Sequence, residues 1–332
     1  MRIGTLSLVC ISMLFSYPAA ARVITVSGAD SEAITAAMEQ ASVGDRLFLP
    51  EGRFALHQTI QLKSGILLEG AGEDKTVIYF DAESPCVLLS LDGCENTEVC
   101  RITLDANQNK KALQGISASR ANHLRIHHLT IRHFVKTESF GPHGILFSGT
   151  NPTRENGVTD SEIRDCRIEH IAPDAEFGGG IRLSWGSSRN HILNNSIVDT
   201  GRGGIFADNG STDNTIQGNT VTGSHGEGLG IEVWGGSDRS VIEDNRMDHW
   251  LSIGGSDYCA VRRNHIGDTS EEYKFCGIEG IGSYCVITGN TVEGSQRIGL
   301  SVSSPQPKQY VYWANNQVSG CNQWGAQFQG ES

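Results

Sequence analysis

The stretch I-T-G-N-T-V, residues Ile287–Val292, is one copy of a phrase that recurs through this 332-residue chain. Other clear copies are I-L-N-N-S-I (Ile192–Ile197), I-Q-G-N-T-V (Ile216–Val221), I-E-D-N-R-M (Ile242–Met247) and V-R-R-N-H-I (Val261–Ile266). In each copy, an apolar residue is followed three positions later by Asn and five positions later by another apolar residue. The asparagines form one series: Asn195, Asn219, Asn245, Asn264, Asn290 and Asn316. The same phase is assigned upstream to Cys166, His127 and Ile102, with steps of 19 to 39 residues.

A period in the twenties with strand-like alternation predicts a solenoid, in which each repeat forms one coil and buries its core against its neighbours. The residues around the asparagines are Val, Ile and Thr, which favour strands. Leucine-rich repeats also use Asn, but their L-x-x-L-x-L framework is missing. Because neighbouring coils lie about 4.8 Å apart, residues at one phase stack on each other. We therefore expect an all-β parallel solenoid of about ten coils, with the asparagines at a bend.

The first 21 residues are typical of a secretory signal. Arg2 supplies the positive charge, Leu6–Phe15 an apolar run, and Ala19–Ala21 a cleavage site of small residues. The apolar run is too short to span a bilayer, and we expect no membrane span elsewhere. The sequence predicts a secreted or periplasmic protein, with residues 22–332 forming a single parallel β-helix domain.

Composition narrows the choice of partner. The formal net charge is −12, and it becomes −13 once Arg2 is removed with the signal. An acidic balance argues against nucleic-acid binding, which calls for a basic stripe. An anionic glycan would need a local basic patch or bound cations. Forty glycines against eight prolines agree with many tight turns.

The N-terminal region carries a second indication of the fold. Asp30–Ala41 is predicted to form a short helix that caps the first coil and protects its open edge. The runs G-D-R-L-F-L-P-E-G-R-F (Gly44–Phe54) and T-I-Q-L-K-S-G-I-L-L-E-G-A-G (Thr59–Gly72) follow. With the asparagine phrase, they resemble the right-handed parallel β-helix proteins of the pectin-lyase-like superfamily. That group includes pectate lyases, polygalacturonases, alginate lyases, mannuronan epimerases and phage tailspikes. The resemblance implies right-handed coils and a polysaccharide partner, but it does not fix the reaction.

A second repeated phrase precedes the copies of the asparagine phrase, whose stacked asparagines we call the ladder. Examples are G-I-R-L-S-W (from Gly180) and G-I-E-V-W (from Gly230). Strand alternation places its Ile inward and the next residue outward. The expected outward columns are Leu146, Arg182, Phe206, Glu232, Glu279 and Ser301, beside Ser148, Ser184, Asp208, Trp234, Ile281 and Ser303. The families that this chain resembles carry their catalytic groove on the corresponding sheet.

The charged outward residues are the candidate catalytic groups: Arg182, Asp208, Glu232 and Glu279. Asp208 and Glu232 are one coil apart and two residues out of register, which gives a Cα separation of about 8 Å. Glu279 is expected about 9.6 Å beyond Glu232. Inverting glycosidases hold two carboxyl groups about 6.5–9.5 Å apart, so Asp208 and Glu232 fit hydrolysis. Glu279 could serve with either of them.

The resemblance to pectate lyases implies a different chemistry. In such enzymes Arg or Lys removes the proton α to a uronic carboxylate, and acidic residues hold calcium, which prefers oxygen ligands. Arg182 is then the candidate base, with Asp208 and Glu232 as calcium ligands. We favour β-elimination of a uronic-acid glycan, with inverting hydrolysis as the alternative. The N-T-D, D-D, G-H-G and R-I-K motifs of polygalacturonases and the D-P-H motif of mannuronan epimerases are absent.

Aromatic and histidine residues complete the candidates. Sugars stack on aromatic faces, so Trp185 and Trp234 are expected to bind substrate. His225 and His143 are assigned to loops entering the same sheet, His225 as a catalytic acid or base and His143 as a substrate contact. A non-catalytic glycan binder or a tailspike-like assembly uses the same features. Since the last residues show no cap, a homo-oligomer is also predicted.

Two cysteines have a predicted spatial relation. Cys259 and Cys285 each lie five residues before a ladder asparagine, so they should occupy adjacent coils. Their Cα atoms would then be about 4.8 Å apart, a separation that a disulfide accepts. Two reduced thiols packed in the core fit the sequence equally well. No Cys or His spacing indicates zinc.

Overall fold

The computed structural model describes residues 21–137, 141–225, 228–267, 276–295, 297–303 and 310–329. The predicted signal, residues 1–21, lies outside this part of the chain except for Ala21. The described residues form a right-handed parallel β-solenoid of about 11 turns, close to the ten predicted. The only helix in these ranges is α1 (Ser31–Gln40). It caps the first coil as expected, with Asp30 as N-cap and Ile34, Ala37 and Met38 buried.

Two parallel sheets form the walls. The site sheet has eleven strands: β4 (Ile60–Gln61), β7 (Leu89–Ser90), β9 (Gln114–Ala118), β11 (His143–Ser148), β14 (Gly179–Ser184), β17 (Gly203–Ala207), β20 (Leu229–Trp234), β23 (Trp250–Gly254), β26 (Cys276–Gly280), β29 (Ile298–Ser303) and β32 (Trp324–Gln329). The ladder sheet has 21 strands: β1 (Val23–Thr25), β2 (Arg46–Leu49), β3 (Gly52–Leu56), β5 (Leu67–Gly70), β6 (Thr76–Phe80), β8 (Glu98–Asp105), β10 (Arg125–Phe134), β12 (Glu162–Arg164), β13 (Arg167–Ile171), β15 (His191–Leu193), β16 (Ser196–Thr200), β18 (Thr215–Gln217), β19 (Thr220–Ser224), β21 (Val241–Glu243), β22 (Arg246–Met247), β24 (Ala260–Arg262), β25 (His265–Gly267), β27 (Val286–Thr288), β28 (Thr291–Glu293), β30 (Tyr312–Ala314) and β31 (Gln317–Ser319).

The asparagine ladder runs along the bend within the ladder sheet. The side-chain oxygen of Asn219 accepts a bond from the backbone N–H of Asn195 at 2.9 Å and from its side-chain amide at 3.0 Å. The Asn219 amide in turn donates to the carbonyl of Ile192 at 2.9 Å. The same pattern continues through Asn245 to Asn316. These buried amides satisfy the backbone polar groups that the bend removes from the strand ladder.

The upstream end of the ladder needs one correction. Cys166 occupies the ladder phase, because its backbone N–H donates to the Asn195 side chain at 3.0 Å. The residue stacked with Ile102 is Leu129, not His127, which pairs with Cys100 instead. The error is two residues, because the sequence I-H-H-L-T-I offers apolar residues at both ends of its bend. A shift of two residues keeps the same side chains facing inward, so the sequence pattern fits His127 and Leu129 equally well.

The core consists of the inward Ile, Leu and Val columns. Cys259 and Cys285 are buried thiols and not a disulfide. Each donates a hydrogen bond at 3.5 Å to a backbone carbonyl, that of Asp257 and that of Ser283 respectively. Among the described residues, no helix is long and apolar enough to cross a membrane.

Candidate functional site

The register of the site sheet fixes one outward column. Arg182 pairs with Phe206, Phe206 with Glu232, and Glu232 with Ser252 of the following coil. Ser252 then pairs with Glu279. The predicted column is therefore confirmed, and the short coil whose register the sequence left open contributes a serine between the two glutamates.

A cleft of about 270 Å³ opens on this face of the molecule. We call it the aromatic cleft, and its lining combines three aromatic rings with paired charges: Phe177, Arg182, Arg202, Phe206, Asp208, Asn209, Glu232 and Trp234. Phe206 packs against Gly203 of its own strand and against Gly179 of the neighbouring coil. A Cβ atom on Gly179 or Gly203 would lie 2.6 Å or 2.9 Å from the ring. The two glycines thus make the space for this ring.

Asp208 is held from several sides. The Arg182 guanidinium approaches one carboxylate oxygen at 2.7 Å and 2.9 Å. The Ser184 hydroxyl and the Asn209 amide donate to the other oxygen, Asn209 at 2.8 Å. Only 6% of Asp208 is exposed. This network fixes Asp208 and Arg182 as a rigid pair in the floor of the aromatic cleft.

Glu232 lies one coil further and has a different partner. A terminal nitrogen of Arg202 lies 3.2 Å and 3.4 Å from its two oxygens. The same guanidinium sits over the Phe177 ring, 5.8 Å from its centre. Glu232 is 8% exposed and lines the aromatic cleft.

Trp234 forms the open rim of the aromatic cleft. It is 48% exposed, as strand alternation predicts for its column. Gly254, on the next coil, has no side chain, so the indole packs directly over its backbone. An exposed tryptophan with one free face offers the flat apolar surface on which a sugar ring stacks.

Glu279 lies two coils beyond Glu232. Burial raises the pKa of the Glu279 carboxyl above its usual range, and a hydrogen bond from Ser252 opposes that rise. The Ser252 hydroxyl lies 2.6 Å from the carboxyl oxygen. A buried carboxyl with a raised pKa has the property required of a general acid.

The expected calcium ligands do not fit a cation. Guanidinium groups already occupy the carboxylates of Asp208 and Glu232. Both oxygens of Asp208 accept hydrogen bonds, and Arg202 approaches both oxygens of Glu232, so neither carboxylate leaves an oxygen for a cation. Neither carboxylate belongs to a cluster of three ligand atoms in the described chain. We therefore assign no metal-dependent step to this cleft.

Four of the predicted site residues lie outside the lining of the aromatic cleft: Glu279, His143, His225 and Trp185. His143 begins strand β11, not a loop, and is 1% exposed, so it offers no surface to a substrate. Burial, with a contribution from the charge of Arg182, lowers its pKa to about 3. His225 is exposed and shares a hydrogen bond of 2.8 Å with Asp199. Trp185 follows strand β14 and is half-buried.

Sequence reasoning missed Arg202 and Phe177 as site residues. Arg202 comes directly before the Gly203–Ala207 strand, and Phe177 lies in the turn before Gly179. Strand periodicity carries no information about side chains in turns. The one available signal was position, because Phe177 precedes the repeated glycine phrase by three residues and Arg202 precedes it by two.

Comparison with known proteins agrees with this architecture. The family described as "Right handed beta helix region" matches residues 64–247. The chain is 26% identical over 250 residues to the pre-neck appendage protein of Bacillus phage B103, which is 68% of this chain. It spans only 28% of that relative's length.

Two solved structures are similar over most of the chain. PfbA, a surface adhesin of Streptococcus pneumoniae, aligns with a TM-score of 0.64 and 13% identity over 93% of this chain and 92% of its own. The alginate lyase from Paenibacillus sp. str. FPU-7 aligns with a TM-score of 0.57 and 17% identity over 93% and 98%. At these identities the likeness concerns the fold alone.

Proposed function

The chain belongs to the right-handed β-helix family, and from that premise we propose that it is an exported enzyme that hydrolyses a polysaccharide on the face of the site sheet that carries the aromatic cleft and, beyond it, Glu279. The observation that carries the proposal is the column Glu232–Ser252–Glu279 beside the exposed indole of Trp234. A glycan partner also agrees with the similarity to an alginate lyase.

The two glutamates have distinct roles in this proposal. Glu279, whose pKa is raised by burial, donates its proton to the oxygen of the leaving sugar. Glu232 takes a proton from a water molecule that attacks the anomeric carbon from the opposite side. The glycosidic bond breaks as the new carbon–oxygen bond forms, and the configuration inverts. Two strand spacings give a Cα separation of about 9.6 Å, and inverting enzymes separate their carboxyl groups by about 6.5–9.5 Å.

The remaining cleft residues bind and orient the sugar. Trp234 stacks on a ring, and Phe206 supplies an apolar floor. The Arg182–Asp208 pair and Asn209 offer donors and acceptors for hydroxyl groups. Arg182, Ser184 and Asn209 all donate to Asp208, whereas Arg202 approaches Glu232 at the longer distances of 3.2 Å and 3.4 Å. We therefore assign Asp208 a binding role and give Glu232 the role of base.

Elimination from a uronic-acid glycan is the second candidate, and the two arginines of the cleft favour it. Arg182 and Arg202 lie where a uronic carboxylate could pair with them. Arg154 lies close by, with Nη1 3.5 Å from a Cβ position at Gly236. However, the Arg182 guanidinium is already engaged by the Asp208 carboxylate at 2.7 Å and 2.9 Å, so it is not directed at a substrate proton.

The test is a digestion panel of neutral and uronic polysaccharides. We expect new reducing ends without the ultraviolet absorbance of an unsaturated uronyl group, and inverted anomers by NMR. Glu232→Gln and Glu279→Gln should each lower kcat by at least about 100-fold. The matched control, Glu293→Gln, changes an exposed glutamate on the ladder sheet and should retain full activity.

Other outcomes decide against hydrolysis. Unsaturated uronyl absorbance would establish elimination in its place. Retention on a glycan column with no product from any substrate would mean that the protein is a binder. The predicted homo-oligomer remains a separate proposal, supported by the exposed Trp324 and Phe328 of the last described strand. Sedimentation of the purified protein tests it.

A further inference from the structure

A second cluster of reactive side chains lies on the ladder sheet, away from the aromatic cleft. Glu98 and Cys100 belong to strand β8, and His127 belongs to strand β10. One carboxylate oxygen, the thiol sulfur and one ring nitrogen all lie within 4.8 Å of one another. We propose that these three side chains bind a zinc ion.

The fold itself brings the three ligands together. Cys100 and His127 are register partners on adjacent coils, so their side chains point the same way about 4.8 Å apart. Glu98 lies two residues before Cys100 and therefore faces the same side of the strand. Because the strands are locked into the sheet on both edges, the ligands are held in place before an ion binds.

The distances suit a tetrahedral ion. Zinc binds thiolate sulfur at about 2.3 Å and imidazole or carboxylate atoms at about 2.0–2.2 Å, which places ligand atoms roughly 3.3–3.8 Å from each other. His127 Nε2 lies 3.1 Å from Glu98 Oε1. Arg125 binds the other oxygen of Glu98 at 2.7 Å, so Glu98 would ligate through Oε1 alone. Small side-chain rotations are enough to reach the geometry.

The second nitrogen of His127 is already oriented. Its Nδ1 lies 2.8 Å from Nδ1 of His128. Histidine ligands of metals characteristically donate their remaining N–H to a neighbouring acceptor, which fixes the ring and its tautomer. With the proton on Nδ1, Nε2 offers its lone pair to an ion beside Glu98 Oε1. Without an ion, Nε2 carries the proton and donates to Glu98 at 3.1 Å.

Cys100 supplies the observation that most favours an ion over a structural role. Cys100 is 4% exposed. Its thiol has no hydrogen-bond partner within the described chain, whereas the thiols of Cys166, Cys259 and Cys285 each donate to a backbone carbonyl. Glu98 is close to the thiol, and Glu69 is the register partner of Cys100 on the preceding coil. These carboxylates attract a cation, and a bound zinc ion takes the place of the thiol proton.

The donor set favours zinc over harder ions. Calcium and magnesium prefer oxygen ligands, whereas one sulfur, one nitrogen and one oxygen suit zinc. Three protein ligands leave a fourth position for water, as in zinc sites that are not purely structural. His127 also borders a surface hollow of about 670 Å³, which gives solvent access to this side of the cluster.

The test is cobalt and zinc binding by the full chain after treatment with a chelator. Cobalt(II) should bind at one equivalent and produce the near-ultraviolet charge-transfer absorption of a cobalt–thiolate bond. One equivalent of zinc should abolish that band. Cys100→Ser should remove the band, and His127→Gln should weaken cobalt binding at least tenfold. Cys166→Ser, which changes a buried thiol one coil further on, should leave both unchanged.

Circular dichroism must show that each variant is folded. His127→Gln keeps the thiol and alters a half-buried surface ring, so it decides the question even if Cys100→Ser fails to fold. Absence of the charge-transfer band in the unmodified chain would overturn the proposal. Binding that neither variant weakens would also overturn it, since that result indicates adventitious surface sites.

Discussion

The indole of Trp234 lies directly over Gly254 on the next coil. A Cβ atom at position 254 would be 1.9 Å from Cε3 and 2.3 Å from Cζ3 of that indole. The rim of the aromatic cleft therefore depends on a residue without a side chain, contributed by the shortest coil of the ladder. A substitution at Gly254 therefore moves the tryptophan without altering any charged residue.

Gly254→Ala should displace the indole and weaken saccharide binding. The added methyl group cannot coexist with the ring, and the exposed tryptophan is free to swing outward, so the fold should lose little stability. We expect KM or the glycan dissociation constant to rise about three- to tenfold, toward the value for Trp234→Ala, consistent with the loss of one stacking contact.

Gly325→Ala is the matched control, because a Cβ atom on this strand glycine meets nothing within 4 Å. Isothermal titration with the best substrate of the panel provides the measurement. Unchanged affinity in Gly254→Ala would show that Trp234 does not form the sugar platform.

Ser252→Ala should change the pH dependence of hydrolysis. The Ser252 hydroxyl donates to the Glu279 carboxyl at 2.6 Å and lowers its pKa, against the larger opposing effect of burial. A general acid works while it is protonated, so activity falls as pH rises through its pKa. Removing the hydroxyl should raise the pKa of Glu279 further and shift the alkaline limb of the kcat profile upward.

Ser301→Ala tests the specificity of that shift. Ser301 is the other register neighbour of Glu279, and its buried hydroxyl has no hydrogen-bond partner in the described structure. Its removal should leave the alkaline limb in place. Equal shifts in both variants, or none in either, would remove Glu279 from the role of general acid.

Most of the scaffold could be predicted from the sequence because it depends on local periodicity. The inward Ile columns, the outward column from Arg182 to Glu279 and the asparagine ladder all follow from strand alternation and a constant phase. The misplacement of His127 shows the limit. A two-residue shift keeps the same face of the strand inward. Only the backbone conformation at the bend therefore distinguishes His127 from Leu129 as the residue at the ladder position.

That conformation is visible once the backbone is known. Arg101, His128, Asp165 and Asn194 all have positive φ and all directly precede the ladder position. Asn, Asp and Gly precede most of the later asparagines and are the residues that tolerate such φ values. A search for this preceding residue would have favoured the phase of Leu129 only weakly, because histidine adopts positive φ less readily than glycine.

The candidate site was less predictable because its contacts come from turns. Arg202 reaches Glu232 from the residue before a strand, and Phe177 reaches Arg202 from a turn. His143 is buried because the turn before it packs on the next coil: a Cβ atom at Gly141 would lie 2.5 Å from the backbone of Gly178. Neither arrangement leaves a periodic pattern in the sequence.

The asparagine ladder should contribute strongly to stability in the middle of the solenoid. Asn245→Ala removes the acceptor for the backbone N–H of Asn219, at 2.9 Å, and the donor to the carbonyl of Ile216, also at 2.9 Å. Each buried polar group left without a partner costs about 1–3 kcal/mol. We therefore expect the free energy of unfolding to fall by about 2–5 kcal/mol, measured by urea denaturation.

Asn316→Ala is the control at the end of the same ladder. Asn316 makes the equivalent bonds to Asn290 and Ile287 but is half-buried, so water can replace them. The loss should be about 1 kcal/mol or less. Equal losses at both positions would show that burial does not set the strength of the ladder.

Stability should also fall in acid because of His143. Burial and the nearby Arg182 lower its folded-state pKa to about 3, whereas an unfolded histidine titrates near 6.5. The unfolded chain therefore binds a proton that the folded chain excludes, and folding loses free energy as the pH falls from about 6.5 toward 3. At about 1.4 kcal/mol per pH unit, the loss is at most about 4–5 kcal/mol.

His143→Leu should flatten this dependence. Neither ring nitrogen meets a partner at full hydrogen-bond geometry within the described structure, and the contact with the Gly141 backbone is a minor influence on its pKa, so an apolar side chain is tolerated. Urea midpoints at pH 7 and pH 4.5 should differ less in the variant than in the unmodified protein. His191→Gln, which alters an exposed histidine of the ladder sheet, should preserve the original difference. If His143→Leu also preserves it, another buried group causes the acid sensitivity.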